Sequence, residues 1–171
     1  MVDKGLVLRK LAEMQEYLNQ VREYSSVSVA EYEADWKTQR IVERTLQMMI
    51  ETCVDVAAHI ISDLGFRTPT SYADAFRVLW EKGMLSDSLF HKMEMTAKFR
   101  NVVVHRYDTV DAEIVVGIVR RGLDGFDDYQ AAIVSVLRAE EGKKDDRDKD
   151  GDSHKATKTR RILGSRWFNV P

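Results

Sequence analysis

The sequence predicts an all-α protein: an up-and-down helical bundle of four long helices plus one short helix, followed by a charged C-terminal tail. Three observations carry that expectation. Apolar residues recur at three- and four-residue steps through most of the first 139 positions, the spacing that lays a stripe along one side of a helix. No stretch alternates apolar and polar residues as a half-buried strand would. The breaks between periodic stretches also carry start and stop chemistry, with Ser or Asp ahead of a run and Gly just behind it.

The first helix is expected from Leu6 to Tyr24, with Val7, Leu11, Met14, Leu18 and Val21 on its apolar side and Ser25-Ser26 breaking it. Ser28-Val-Ala-Glu31 reads as a capping box, in which Ser and Glu satisfy each other's backbone amides at a helix start. The helix it opens meets no Gly or Pro until Gly65 and is expected to kink or restart near Thr38. Its apolar set is Ile41, Val42, Leu46, Met49, Cys53, Val56, Ala57, Ile60 and Leu64, and Gly65 is placed to end it in a left-handed conformation. A loop with Pro69 follows. Ser71 and Asp74 then open the short helix, which carries Phe76, Leu79 and Trp80 and closes at Gly83. Ser86 or Asp87 caps the fourth helix, which runs through Leu89, Phe90 and Met93 to Tyr107. Asp108-Thr109 breaks the chain. A last long helix carries Val116, Val119, Leu123, Phe126, Ile133 and Leu137, and Gly122 and Gly125 either bend it or allow close packing. The bundle domain is expected to span residues 1–139.

Residues 140–171 change character. Glu140 to Asp152 is almost wholly charged, and Ser153 to Arg166 has five basic residues and no acidic one. Such a segment has little apolar surface to bury and is expected as a flexible tail. The alternative is an interaction arm, with Arg160, Arg161 and Arg166 for charge and Ile162, Leu163, Trp167 and Phe168 as anchors.

Composition narrows the classes. A single cysteine, Cys53, excludes an internal disulfide framework and a cysteine-based zinc cluster. No apolar run reaches the roughly 18–20 residues needed to cross a bilayer, so no membrane partner is expected and a cytoplasmic location is the default. The net charge of −2 provides no global basic field for nucleic acid. It divides into −4 over residues 1–139 and +2 over 140–171, so RNA contact would need a local patch such as Lys92, Lys98, Arg100 and Arg106.

The chemistry concentrates in Lys98-Phe-Arg-Asn-Val-Val-Val-His-Arg-Tyr107. At about 100° per residue, with Arg100 at zero, Asn101 falls near 100°, His105 near 140° and Tyr107 near 340°. Four hydrogen-bonding groups then share about 160° of one helix surface. A permanently charged guanidinium beside an imidazole that titrates near neutrality suits work on a phosphate ester. The same residues on a helix can also be a solvated face or a cap. Glu51, Asp55 and His59 form a second polar stripe at four-residue steps. Without a His-x3-His or Glu-x-x-His companion it is weak as a metal site. These are either surface residues, or Asp55 pairs with Arg100 and holds it in position. His91 is expected to be exposed, and Met48, Met49, Met93 and Met95 to fill core or interface. With no Gly-rich phosphate loop, no cofactor is expected.

The string Arg100-x4-His105-x-Tyr107 resembles the signature of the HepT family, a branch of the HEPN superfamily of helical ribonucleases and toxins. The likeness runs from about Asp35 to about Leu137. It takes in Arg40-Ile-Val-Glu-Arg-Thr-Leu-Gln, Thr52-Cys-Val-Asp-Val-Ala-Ala-His-Ile-Ile, Ser71-Tyr-Ala-Asp-Ala-Phe and Phe99-Arg-Asn-Val-Val-Val-His-Arg-Tyr. The resemblance implies an endoribonuclease toxin of a type VII-like toxin–antitoxin system, acting as a homodimer by metal-independent transesterification of RNA. His105 would move the proton, Arg100 would stabilise phosphoryl charge, and Asn101 would orient His105 or bind the phosphate. It also implies a cognate minimal nucleotidyltransferase as antitoxin, adding AMP to the tyrosine that corresponds to Tyr107. A second reading is a non-catalytic HEPN module that binds nucleotide or RNA as the partner of such an enzyme.

Overall fold

In the computed structural model, residues 2–105 and 110–142 are described, His105 by its backbone alone. Helices α1 (Lys4–Arg22), α2 (Val29–Ala34), α3 (Trp36–Asp63), α4 (Tyr72–Glu81), α5 (Asp87–His105) and α6 (Ala112–Arg121) are followed by α7, residues 124–142. No strand occurs among the described residues. The all-α bundle is as expected. The chain divides into a compact unit of residues 1–134 and a second of 135–171, of which 135–142 are helical. Everything below concerns the first unit. Arg106, Tyr107, the Asp108-Thr109 break and residues 143–171, with the basic and aromatic positions of the expected tail, lie outside the described residues.

Two of the expected long helices are each divided, and local chemistry explains both breaks. The second restarts as expected, at Asp35, three residues before Thr38. The Asp35 carboxylate accepts from the Lys37 amide at 3.0 Å and the Thr38 hydroxyl at 2.8 Å, so it caps α3 and leaves its own backbone extended. Gln39 completes the joint by donating to the carbonyls of Tyr32 and Glu33 at the end of α2. The last helix breaks at Gly122, whose amide donates to the Ile118 carbonyl at 2.8 Å. A Cβ there would stand 3.0 Å from that oxygen, which is why glycine suits the corner.

The remaining signals act as read. Ser28 and Glu31 make the reciprocal capping box. Gly65 (φ 65°) and Gly83 (φ 70°) turn left-handed at the ends of α3 and α4. At each, the following amide reaches back to close the last turn, Phe66 to Ile61 at 2.9 Å and Met84 to Leu79 at 3.0 Å. Ser86 caps α5 through the Leu89 amide.

The core lies where the stripes of α1, α3, α4, α5, α6 and α7 meet. Val7, Leu11, Met14, Leu18 and Val21 face α3. Tyr129 of α7 reaches between helices, its hydroxyl donating to the Cys53 carbonyl at 2.9 Å and its ring meeting Phe76 edge-on. Of the expected apolar set, Ile41 is exposed. Trp80 sits at the surface, stacked on Phe90 with its indole N–H donating to Asp87 at 2.7 Å. Met49 and Met93 are buried, Met95 is exposed, and so is His91.

Candidate active site around Arg100

Three elements converge on Arg100. Helix α5 carries it directly after Phe99, whose ring is buried and sets the helix's rotation. Helix α3 supplies Glu51, one Oε of which accepts from Arg100 Nε at 3.0 Å and from Nη2 at 2.7 Å. The first residue of α4, Tyr72, lays its ring 4.5 Å from the guanidinium carbon, within cation–π range. Its hydroxyl accepts weakly from Nη2, at 3.4 Å. Gln47, one turn before Glu51, donates to the same Glu51 oxygen at 3.0 Å. Burial pushes the Glu51 carboxyl up, but the hydrogen bonds from Gln47 and Arg100 and the charges of Arg100 and Arg44 outweigh it. The group is held below the usual carboxylate range and stays ionised at neutral pH.

Tyr72 keeps its place because the loop before α4 is tied down. Arg67 makes a two-pronged contact with Asp74 (2.8 and 2.9 Å) and another with Glu81 (3.0 Å each), while Asp74 also accepts from the Thr70 amide at 2.9 Å. Ser71 caps α4 at the Asp74 amide. These bonds to Arg67, and then to Thr70, hold the Asp74 carboxyl well below its ordinary value.

The expected polar arc is thus not uniformly solvated. The Arg100 side chain is only 17% exposed and turned inward, whereas Asn101 is exposed. His105 ends the described part of α5, five residues on. The expectation that Asp55 holds Arg100 is corrected: Glu51, one turn earlier on α3, does so. Asp55 faces α1 instead, where its carboxylate lies 3.4 Å from Lys10 Nζ. The two positions are about 40° apart around α3, enough to send one to α5 and the other to α1. His59 Nε2 lies 3.2 Å from Asp63, off-axis for a hydrogen bond, and its stripe gathers no metal-ligand cluster among the described residues.

Sequence reasoning missed the roles of Glu51 and Tyr72. The signal for Glu51 was the Gln47–Glu51 pair, two polar side chains one turn apart on a helix otherwise rich in core residues. Nothing local marked Tyr72. The expected basic patch is also altered, since Lys92 pairs with Asp128 (2.9 Å), Lys98 with Glu94 (3.1 Å) and Arg100 with Glu51. The Lys92–Asp128 pair is exposed on both sides and contributes little, whereas Glu94 is only 17% exposed and also accepts from Arg77.

Along the other flank of α5 a groove of about 710 Å³ opens towards α6, lined by Met95, Phe99, Val102, Ile114 and Ile118. Met95 and Ile114 are 62% and 53% exposed. No helix of the described residues is long and apolar enough to cross a membrane.

Comparison with known proteins gives the class first. A solved structure described as a tri-AMPylated Shewanella oneidensis HEPN toxin in complex with MNT antitoxin matches with a TM-score of 0.71. It is 24% identical and covers 79% of this chain and 99% of that one, so the two chains share one helical fold. More narrowly, the chain belongs to the ribonuclease HepT-like family, whose model matches residues 14–133. An mRNA nuclease HepT of Shewanella oneidensis is 26% identical over 136 residues, 79% of this chain and 98% of that protein. A tRNA nuclease HepT of Aphanizomenon flos-aquae is 25% identical over 136 residues, 80% of this chain and 92% of that protein. By family the protein is an enzyme of the ribonuclease class.

Proposed function

We propose that the chain is an endoribonuclease toxin of a toxin–antitoxin pair, cutting RNA by metal-independent transesterification at Arg100-x4-His105. The observation that carries the reading is Arg100, bonded by Glu51 and covered by the Tyr72 ring, on the helix that also carries His105. In this reading His105 takes the proton of the 2′-hydroxyl as it attacks phosphorus. Arg100 offsets charge on the phosphoryl oxygens, and the exposed Asn101 orients His105 or binds phosphate. A second proton-transfer group is needed for the leaving oxygen, and a two-fold axis supplies it as a second His105. The homodimer this requires is supported by the exposed apolar rim of Met95, Val102 and Ile114. Val102 lies about 60° around α5 from His105.

The partner in this reading is a minimal nucleotidyltransferase antitoxin. Tyr107 is its substrate, and AMP added there sets a phosphate against Arg100 and excludes RNA. The AMPylated, antitoxin-bound HEPN toxin of matching fold supports this. Both proteins would act in the cytoplasm.

The test is expression of wild type and His105→Ala without the partner, followed by mapping of RNA ends. Wild type is expected to generate new ends that persist in chelator-treated extracts, and His105→Ala none. Equal cleavage by both would refute the assignment. Growth arrest without new ends in either would favour the non-catalytic binding module.

A further inference from the structure

Arg100 has five N–H donors, and the structure accounts for three. Glu51 takes the Nε–H and one Nη2–H, and the Tyr72 hydroxyl lies within reach of the other Nη2–H. One face of the guanidinium is covered by the Tyr72 ring. Among the described residues nothing hydrogen-bonds Nη1. The edge that remains for a phosphodiester is therefore the Nη1 edge, and it is presented in one orientation. We propose that Glu51 and Tyr72 are positioning residues for RNA cleavage. Glu51 fixes the rotation of Arg100 and offsets its charge in the resting site, and Tyr72 fixes its plane. The proposal rests on Arg100 being the phosphoryl contact proposed above.

The two roles of Glu51 act in opposite directions on the reaction. Its geometry aids the transition state, because a group held within tenths of an ångström of its working place loses nothing to reorientation. Its charge opposes ground-state binding, because a carboxylate 2.7 Å from the guanidinium competes with any incoming phosphate. Removing charge while keeping shape should therefore separate KM from kcat, which a purely structural side chain would not do. Gln47 makes that separation practical. It donates to the same Glu51 oxygen that Arg100 uses, so a glutamine at position 51 can keep its carbonyl oxygen towards both.

The experiment is steady-state cleavage of a short RNA by full-length wild type, Glu51→Gln, Glu51→Ala, Tyr72→Phe and Tyr72→Leu, with inorganic phosphate as competitor. Each variant's folding is checked by circular dichroism, and the Arg100 Nε–H resonance is followed by NMR. Glu51→Gln is expected to lower KM and to tighten phosphate inhibition about three- to tenfold. Its kcat should fall less than that of Glu51→Ala, which should lose about 10–100-fold as Arg100 swings loose. Tyr72→Phe should keep most of the activity, and Tyr72→Leu should lose about tenfold, because the ring face rather than the hydroxyl does the holding. In the wild type the Arg100 Nε–H signal should be sharp and slow to exchange, and in Glu51→Ala broadened or absent. A Glu51→Gln variant with unchanged KM and phosphate inhibition would overturn the proposal, as would an Arg100 signal indifferent to Glu51→Ala. If wild type cuts no RNA, the functional reading fails, while the NMR arm still decides whether Glu51 positions Arg100. If a variant unfolds, the other substitution at the same position decides.

Discussion

Replacing Tyr129 by phenylalanine isolates a single interaction between α7 and the helix that carries Glu51. Tyr129 is fully buried, its hydroxyl donates to the Cys53 carbonyl at 2.9 Å, and its ring meets Phe76 at 5.7 Å and 83°. Phenylalanine keeps the ring, the edge-to-face contact and nearly all the volume, so no cavity term arises. What is lost is one hydrogen bond. The carbonyl is not orphaned, because within α3 it remains the acceptor of the amide four residues on. The cost is therefore the net value of a buried bond, about 1 kcal/mol, and not the larger penalty of an unpaired acceptor. For a chain of this size that is roughly 2–4 °C in Tm. Tyr129→Ala, which removes the ring as well, should cost about 3–5 kcal/mol. Burial raises the Tyr129 phenol's pKa, so it stays a donor through the neutral range and the loss should not vary with pH there. Urea unfolding followed by circular dichroism is the assay, with midpoint and slope compared. A Tyr129→Phe variant within about 0.3 kcal/mol of wild type, or more than about 2 below it at unchanged slope, would refute the reasoning.

Gly65→Ala should cost about 1 kcal/mol in the same assay. Its Cβ would meet nothing within 4 Å, so the whole penalty is the left-handed backbone at φ 65°. Ser28→Ala should cost about 1 kcal/mol by opening the capping box, and Ser28→Gly only a few tenths, which thermal melts would distinguish. The third expectation concerns acid. Glu51 and Asp74 both have folded pKa values below their unfolded ones of 4.5 and 3.8, so their contribution is complete above those values and is lost as pH falls through the folded ones. Stability should therefore hold from pH 7 to about pH 5 and decline below. Arg67→Met, which removes the main partner of Asp74, should make the decline shallower when melting is followed against pH.

By itself the sequence determined the helical class, the caps and the motif helix, because each is encoded within a few neighbouring residues. Ser28 and Glu31 cap each other three positions apart, Gly65 and Gly83 make the left-handed turns that close their helices, and the stripe on α1 declares its buried side. The same local logic read Arg100 and His105 as a pair on one helix. What it could not decide was which partner lies across from them. Glu51 and Asp55 are both carboxylates one turn apart on α3, and either could reach a neighbouring arginine in principle. The rotation of α3, set by Met49, Cys53 and Val56 packing inward and by Tyr129 holding the Cys53 carbonyl, aims Glu51 at α5 and Asp55 at Lys10. Tyr72 was less legible still. It stands 28 residues from Arg100, and it reaches the guanidinium because Arg67 and Asp74 clamp the loop that precedes α4. Spacing along one helix is a property of the chain, but the contact between helices is a property of their rotation and approach, which only the packed core specifies.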